Sequence, residues 1–314
     1  MSLDADIDDL IEFVPCSLCD FSGFETVRPP SYPAGLSRQN LLEIYSASSD
    51  HVLFDAMVRC SGCGLIYLNP RVRADLIIES YSNAADPTFI DQNEERVKTF
   101  ERSLRQLARR QGFAPDGTKR ILDIGCAGGA FPKAAQNLGF EAVGVEPSRW
   151  LVEKGRELYG LDLRQGLLKD QHFPDCSFDL ASLWDVIEHL PDPNEVIAEV
   201  HRILKPDGLL IVNYPDYGSV ARKVLGNKWP MLLSVHLTYF TRTTILKFMQ
   251  NHGFEVIEIK PFWQTLQLGY VLKRAGAYFS VFKFLGALAK QLKLHRIPIT
   301  YNIGQSFLLA RRSS

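Results

Sequence analysis

A chain of 314 residues, 46% of them hydrophobic and 23% charged, can bury one sizeable core with a small accessory module beside it. Its net charge of −1 excludes the broad cationic field that draws most proteins to nucleic acid, so no nucleic-acid partner is expected. Residues 1–12 are acidic with no basic leader, and no apolar run approaches the ~18 residues of a spanning helix, so a cytoplasmic address is expected.

Residues from about 13 to 72 are rich in Pro, Gly and Ser and hold four of the six cysteines. Thiols stay reduced in the cytosol, where paired cysteines point to metal before disulfide. Cys16-x-x-Cys19 and Cys60-x-x-Cys63 are two knuckles separated by 40 residues. Together they offer the four thiolates of a closed tetrahedral zinc site, structural because no ligand position stays open. A thioredoxin-like reading accounts for one pair and leaves the other unexplained.

A polar helix is expected over Asp91–Gln111, stopped by Gly112 and Pro115. From Lys119 onward short apolar strands alternate with amphipathic helices, the pattern of an α/β doubly wound sheet. Strands are expected near 120–124, 141–146, 161–165, 178–183, 208–213, 254–260 and 305–311. Lys205-Pro206-Asp207-Gly208 reads as a stop and turn after the helix that begins near Pro193. The expected division is a zinc-knuckle module at 1–75, a helical linker at 76–118 and a nucleoside-binding domain at 119–314. That domain carries a lid at about 214–241 and a carboxyl-terminal helical insert at about 262–304.

The strand Ile121–Ile124 runs into Gly125-Cys126-Ala127-Gly128-Gly129 and then a helix starting near Phe131. Glycine lets a ligand approach the backbone, and the following helix N-terminus presents unpaired N–H groups. A dinucleotide fingerprint needs glycine where Ala127 and Ala130 stand. Asp123 would oppose a pyrophosphate but suits an ammonium group. Glu146, closing the second strand, stands where a ribose-binding acid belongs. An amino-acid nucleoside satisfies all of these at once.

Leu122-Asp123-Ile124-Gly125-Cys126-Ala127-Gly128-Gly129 resembles the first motif of class I S-adenosylmethionine-dependent methyltransferases, and Val143 to Ser148 is similar to their second. Phe178-Asp179-Leu180 through Asp185-Val186-Ile187-Glu188-His189-Leu190, Leu204 to Gly208, and His236 to Thr241 resemble later motifs in the same order. The resemblance implies a Rossmann-like seven-stranded sheet whose last strand is antiparallel. It implies S-adenosyl-L-methionine as cofactor, held by Asp123, Gly125, Cys126, Ala127, Gly129, Glu146, Pro147, Leu167, Trp184 and Asp185. The family often carries an acidic residue for adenine after the third strand. Gly166-Leu167-Leu168 stands there, so adenine is expected on backbone groups or apolar packing. The segment Arg59–Arg71 resembles the zinc-knuckle leader of some methyltransferases of sugar and natural-product pathways.

Methyl transfer to a hydroxyl or carbon calls for a base, and histidine titrates in the useful range. His189, after the fourth strand, and His236, in the lid, are the catalytic candidates; His51, His172, His201, His252 and His295 have no comparable placement. Trp229, Pro230, Tyr239 and Phe240 either wall an acceptor pocket or pack the lid, and Tyr81 is expected to help close the site. In the insert, Tyr278, Val281, Phe282, Leu285, Leu288, Ala289 and Leu292 recur at helical spacing with Lys283, Lys290 and Lys293 largely opposite. Such a helix can lie on a membrane surface. Packing on its own domain or on a second subunit of a homo-oligomer is the favoured expectation.

The function expected is therefore methyl transfer to a small-molecule acceptor, such as a sugar nucleotide, glycan or natural-product intermediate. A nicotinamide-dependent oxidoreductase is the alternative on the same fold, disfavoured by Ala127, Ala130 and Asp123. A non-catalytic zinc-knuckle interaction protein is the third reading.

Overall fold

The computed structural model describes residues 8–32, 37–45, 53–83, 85, 87–276 and 280–313; His51 and Tyr278 lie outside them. In the amino-terminal part, β1 (Ile11–Glu12) pairs with β5 (Arg71–Val72), bracketing β2 (Phe24–Arg28), β3 (Met57–Cys60) and β4 (Ile66–Leu68). The helices Ala74–Ser82 and Asn93–Gln111 follow; the second ends on Gly112 in the left-handed region, as its glycine stop predicts.

Short runs rich in Ile, Val and Leu then form the central sheet. These are β6 (Arg120–Ile124), β7 (Glu141–Glu146), β8 (Asp162–Gln165), β9 (Phe178–Trp184) and β10 (Leu204–Pro215). Beyond the lid strand β11 (Thr238–Tyr239) come β12 (Phe254–Pro261), the insert strands β13 (Gln264–Gln267) and β14 (Pro298–Tyr301), and β15 (Gln305–Arg312). The seven-stranded sheet runs β12-β15-β10-β9-β6-β7-β8, and β15 lies antiparallel to both of its neighbours. All seven expected strands are present.

Period-two alternation sorts the sheet's side chains onto two faces. Ile121, Leu180, Ile211 and Leu309 join the helices Asn93–Gln111 and Ala130–Asn137 through Leu104, Leu107, Phe131 and Ala134. Leu122, Ala181, Leu210 and Leu308 join the helices Pro193–Ile203 and Arg242–Asn251 through Ile197, Val200, Ile245 and Phe248. Both faces are covered, which is why the inner strands read as nearly continuous apolar runs. Lys205-Pro206-Asp207-Gly208 does not end before the strand as expected. It forms an irregularity inside β10, where the pairing with β9 shifts register between Leu204 and Leu209 and Asp207 adopts φ +60°.

The chain fills the sheet from β6 outward to β8 and then crosses back to place β9 on the other side of β6. This reversal opens a crevice at the carboxyl ends of β6 and β9, where ligands bind in open α/β sheets. The lid covers it by joining the amino-terminal part. β11 pairs with β4, extending a four-stranded sheet β11-β4-β3-β2, and Trp229, Leu233 and Tyr239 share a core with Leu53, Ile66, Leu68 and Ile77.

Candidate active site

A cavity of about 370 Å³ occupies the crevice. Its floor is the turn after β6. Gly125 and Cys126 donate their N–H groups to the Val145 carbonyl at 2.8 and 3.1 Å, folding the turn onto β7. Gly125 sits at φ +68° and Ala127 at +46°, so the backbone takes the left-handed form even at the alanine. Glu146 fixes this geometry from below: one carboxylate oxygen accepts from the Ala127 N–H and the other from the Ser148 N–H, each at 2.9 Å. Ser148 in turn caps the helix Arg149–Tyr159.

Of the expected cofactor residues, Gly125, Ala127, Glu146, Pro147, Leu167, Trp184 and Asp185 line this cavity. Asp123, Cys126 and Gly129 do not. Asp123 is buried beneath the turn, where its carboxyl accepts from the Ser182 hydroxyl at 2.7 Å. As the fourth of the five residues of β6, it stands beneath the turn and off the cavity wall. Cys126 turns into a small core with Val152, Leu161 and Leu163. Gly129, at φ +78°, precedes the helix Ala130–Asn137.

Asp185 takes the place at the cavity wall that Asp123 lacks. It stands at the end of β9 with φ +54° and accepts from Asn213 Nδ2 at 2.7 Å and Gln305 Nε2 at 2.6 Å. Burial raises its pKa to about 6, opposed by the nearby Arg96 guanidinium and the Gln305 hydrogen bond. Arg96, Tyr270, Arg274, Tyr301 and Gln305 complete this end of the cavity. None of them was singled out from the sequence. They come from the linker helix, the insert and β15, and only tertiary folding brings them together.

The same cavity holds both candidate histidines. His189 Nδ1 lies 2.8 Å from the Val235 carbonyl, which can only accept, so this nitrogen carries the proton; the Tyr81 hydroxyl oxygen is a second acceptor at 2.6 Å. His236 Nδ1 likewise donates to the Met231 carbonyl at 2.8 Å. Each Nε2 therefore keeps its lone pair. The ring centroids are 4.7 Å apart. Burial lowers the pKa of His189 to about 4 and that of His236 well below its usual value, so both rings are neutral at pH 7. Glu188 joins them: its carboxyl is buried, Oε2 has no hydrogen-bond partner among the described residues, and Oε1 is 4.0 Å from His189 Nε2. Burial, reinforced by Asp185, drives its pKa well up. One ligand atom from each of Glu188, His189 and His236 lies within 4.8 Å of the others, so the cluster has the reach to hold a cation as well as a proton.

Tyr81 contacts His189, and Pro230 lines the cavity, whereas Trp229, Tyr239 and Phe240 are fully buried in packing. The lid aromatics thus pack the lid rather than wall the pocket; Trp229 Nε1 donates to the Ile303 carbonyl at 2.6 Å. Away from the cavity, the four cysteine sulfurs of 16, 19, 60 and 63 gather within 4.8 Å of one another. Cys16 and Cys63 Sγ are 3.4 Å apart, and Cys19 and Cys60 Sγ 3.5 Å.

A family model described as a methyltransferase domain matches residues 92–259, more than half of the chain. The chain belongs to that family, whose fold and ordered motifs are those of class I S-adenosylmethionine-dependent methyltransferases. It is similar to an uncharacterised methyltransferase of Schizosaccharomyces pombe, 33% identical over 115 residues that cover 32% of this chain and 41% of that protein. It also resembles the ubiquinone biosynthesis O-methyltransferase of Actinobacillus pleuropneumoniae, 34% identical over 102 residues, 29% of this chain and 44% of the relative. The chain thus spans less than half the length of these relatives. A putative methyltransferase solved in complex with the Trm112 activator of Haloferax volcanii shares the fold, with a TM-score of 0.50 at 17% identity over 69% of this chain and 91% of that one.

The buried carboxyls set a pH dependence for the ligand-free protein. Burial raises Asp123 to about 8, with Glu146 adding to the rise and Ser182 opposing it; burial raises Glu146 itself to about 7. A folded pKa above the unfolded value means that the folded state holds more protons, so stability falls as pH rises. Below about 6.5 the two histidines act oppositely, because the unfolded chain protonates them first. Between pH 6.5 and 8 these carboxyls and Glu188 act together, opposed by Cys60, whose pKa is lowered to about 7. Denaturant melts across this window should show a net loss on the order of 2 kcal/mol, and Asp123→Asn should make the slope shallower. An equal slope in the variant would show that Asp123 is already ionised.

Proposed function

We propose that the chain transfers a methyl group from S-adenosylmethionine to a hydroxyl of a small-molecule acceptor. The observation that carries this reading is the continuity of one cavity from Glu146 and the Gly125 turn to the Glu188–His189–His236 cluster. The residues present fit the cofactor. Glu146 faces the ribose position, Leu151 and Leu167 offer an apolar seat for adenine, and the helix beginning at Ala130 presents its N-terminus to a carboxylate. The ammonium falls to Asp185, and Asp123 supports the turn from beneath.

Bound S-adenosylmethionine supplies a methyl group activated by a sulfonium. His236 or His189, neutral and with an open Nε2, takes the acceptor's proton as the new bond forms. The positive charge of the sulfonium would thereby reappear on imidazole; the Glu188 carboxyl, kept protonated by burial, stands 4.0 Å from His189 Nε2 as a neutral dipole beside it. Charge moves across the cavity instead of being created in it, a small electrostatic demand for a buried site. A sugar, glycan or natural-product hydroxyl remains the acceptor class suggested by the zinc-knuckle leader, and the ubiquinone-pathway relative points equally to a phenolic hydroxyl. The cysteine cluster is a structural zinc site in this reading.

Calorimetric titration with S-adenosylhomocysteine should give stoichiometric binding, weakened at least ten-fold (about 1.4 kcal/mol) by Glu146→Ala; no binding by folded protein refutes the assignment. With acceptors drawn from a panel of phenols and glycosides, His236→Gln should lower turnover by about 10²–10⁴-fold while leaving S-adenosylhomocysteine affinity unchanged. Full activity in that variant moves the base to His189. Metal analysis should find one zinc per chain, lost in Cys60→Ser together with a drop in melting temperature; metal-free, fully stable protein would dismiss the zinc site.

A further inference from the structure

The insert between β12 and β15 is expected from its sequence to pack its apolar stripe on its own domain or on a second subunit. The structure divides that stripe. On the helix Ser280–Gln291, Ala289 is buried and Phe282 partly so, and these face the body of the insert. Val281, Phe284, Leu285 and Leu288, continued by Leu292, fall at i, i+3, i+4, i+7 and i+11 on one side. All five are exposed, Phe284 by 69% and Val281 by 57%. Leu294 and Ile297 extend the exposed surface along the chain. Contiguous apolar surface of this kind marks an interaction site.

Charge selects the partner. Residues 262–304 carry six cationic side chains, Lys273, Arg274, Lys283, Lys290, Lys293 and Arg296, and no Asp or Glu, in a chain whose net charge is −1. The remainder of the chain is therefore net negative, and the positive charge is concentrated around the exposed stripe. Lys283 and Lys290 are exposed and fall opposite the stripe by helical spacing. A helix is about one Debye length across at physiological salt, so these charges still feel a surface touching its apolar side. Pairing two copies through this face would bring two all-cationic segments together. An anionic lipid surface meets both features at once, accepting the apolar side chains and attracting the lysines. Among the described residues no helix is long and apolar enough to cross a membrane, so the contact is one of lying on the surface.

We propose that the exposed face of the helix Ser280–Gln291 docks the protein reversibly on an anionic lipid surface. The docking does not depend on methyl transfer. It brings the cavity wall built by Tyr270, Arg274 and Tyr301 close to the lipid boundary, because the same insert supplies those residues.

The test is co-sedimentation of the full chain with phosphatidylcholine vesicles, with and without phosphatidylglycerol. The protein should sediment with the anionic vesicles, remain largely in solution with neutral ones, and be released by salt. The double variant Phe284→Glu/Leu288→Glu should bind anionic vesicles at least ten-fold more weakly while its melting temperature stays that of the parent. Parent protein that stays in solution with anionic vesicles overturns the proposal, as does a double variant that binds like the parent. Light scattering covers the remaining occupant: a parent dimer that the double variant dissolves, without vesicle binding, assigns the face to a second copy and also overturns it.

Discussion

One buried carboxylate organises the floor of the cavity. Glu146 ends β7 and accepts from two backbone amides on two different loops, one after β6 and one opening the next helix. A carboxylate held by backbone N–H groups is a fixed acceptor with little freedom to reorient. The Gly125 turn, the Ser148 cap and the edge of the cavity take their positions from it. Burial raises its pKa and the two hydrogen bonds restrain the rise, so the same contacts that place the group also keep it available as an acceptor.

The part of the cavity around the two histidines is organised differently, by pairing between distant segments. β11 from the lid adds to β4 of the amino-terminal part, and Leu237 donates its N–H to the Glu188 carbonyl at 2.7 Å. His236 lies one residue before that bond, and Val235 supplies the carbonyl that fixes the tautomer of His189. The lid therefore sets the protonation of one histidine and carries the other. Tyr81, from the helix that leaves the amino-terminal part, closes the group from the far side. The cysteine cluster joins the loop before β2 to the end of β3 and the turn into β4 of the same sheet.

Much of this was legible in the sequence because it rests on local pattern. The alternation of Ile, Leu and Val located all seven sheet strands, and the two CxxC pairs gather as their spacing suggests. The differences have physical causes. Asp123 and Cys126 lie in the motif but off the cavity wall, because motif membership does not reveal which way a strand-end side chain points; pleat and packing decide that. Lys205–Gly208 has turn chemistry, but the strand absorbs it as an irregularity because pairing with β9 resumes beyond it. Arg96, Arg274 and Gln305 had no local signal, since isolated polar residues become a site only when the linker helix, the insert and β15 converge. The insert's periodicity was visible, whereas the division of its stripe into a packed and an exposed part depends on neighbours 20 or so residues away, such as the helix Leu268–Ala275.

The antiparallel placement of β15 has a further consequence. Because the chain leaves the sheet after β12 and must return beside it, everything between is free to vary in length without disturbing a parallel strand. That excursion supplies one wall of the cavity, and Ile77 to Tyr81 supply another, while the family-matched stretch 92–259 supplies the Gly125 turn, Glu146 and both histidines. The cavity is thus assembled from tracts inside and outside the family-matched stretch, with His189 and His236 inside it and Tyr270, Arg274 and Tyr301 beyond it. Drift or exchange in the outer tracts can reshape that wall while the Gly125 turn and the Glu146 hydrogen bonds stay intact, a division that lets one scaffold carry many pocket shapes.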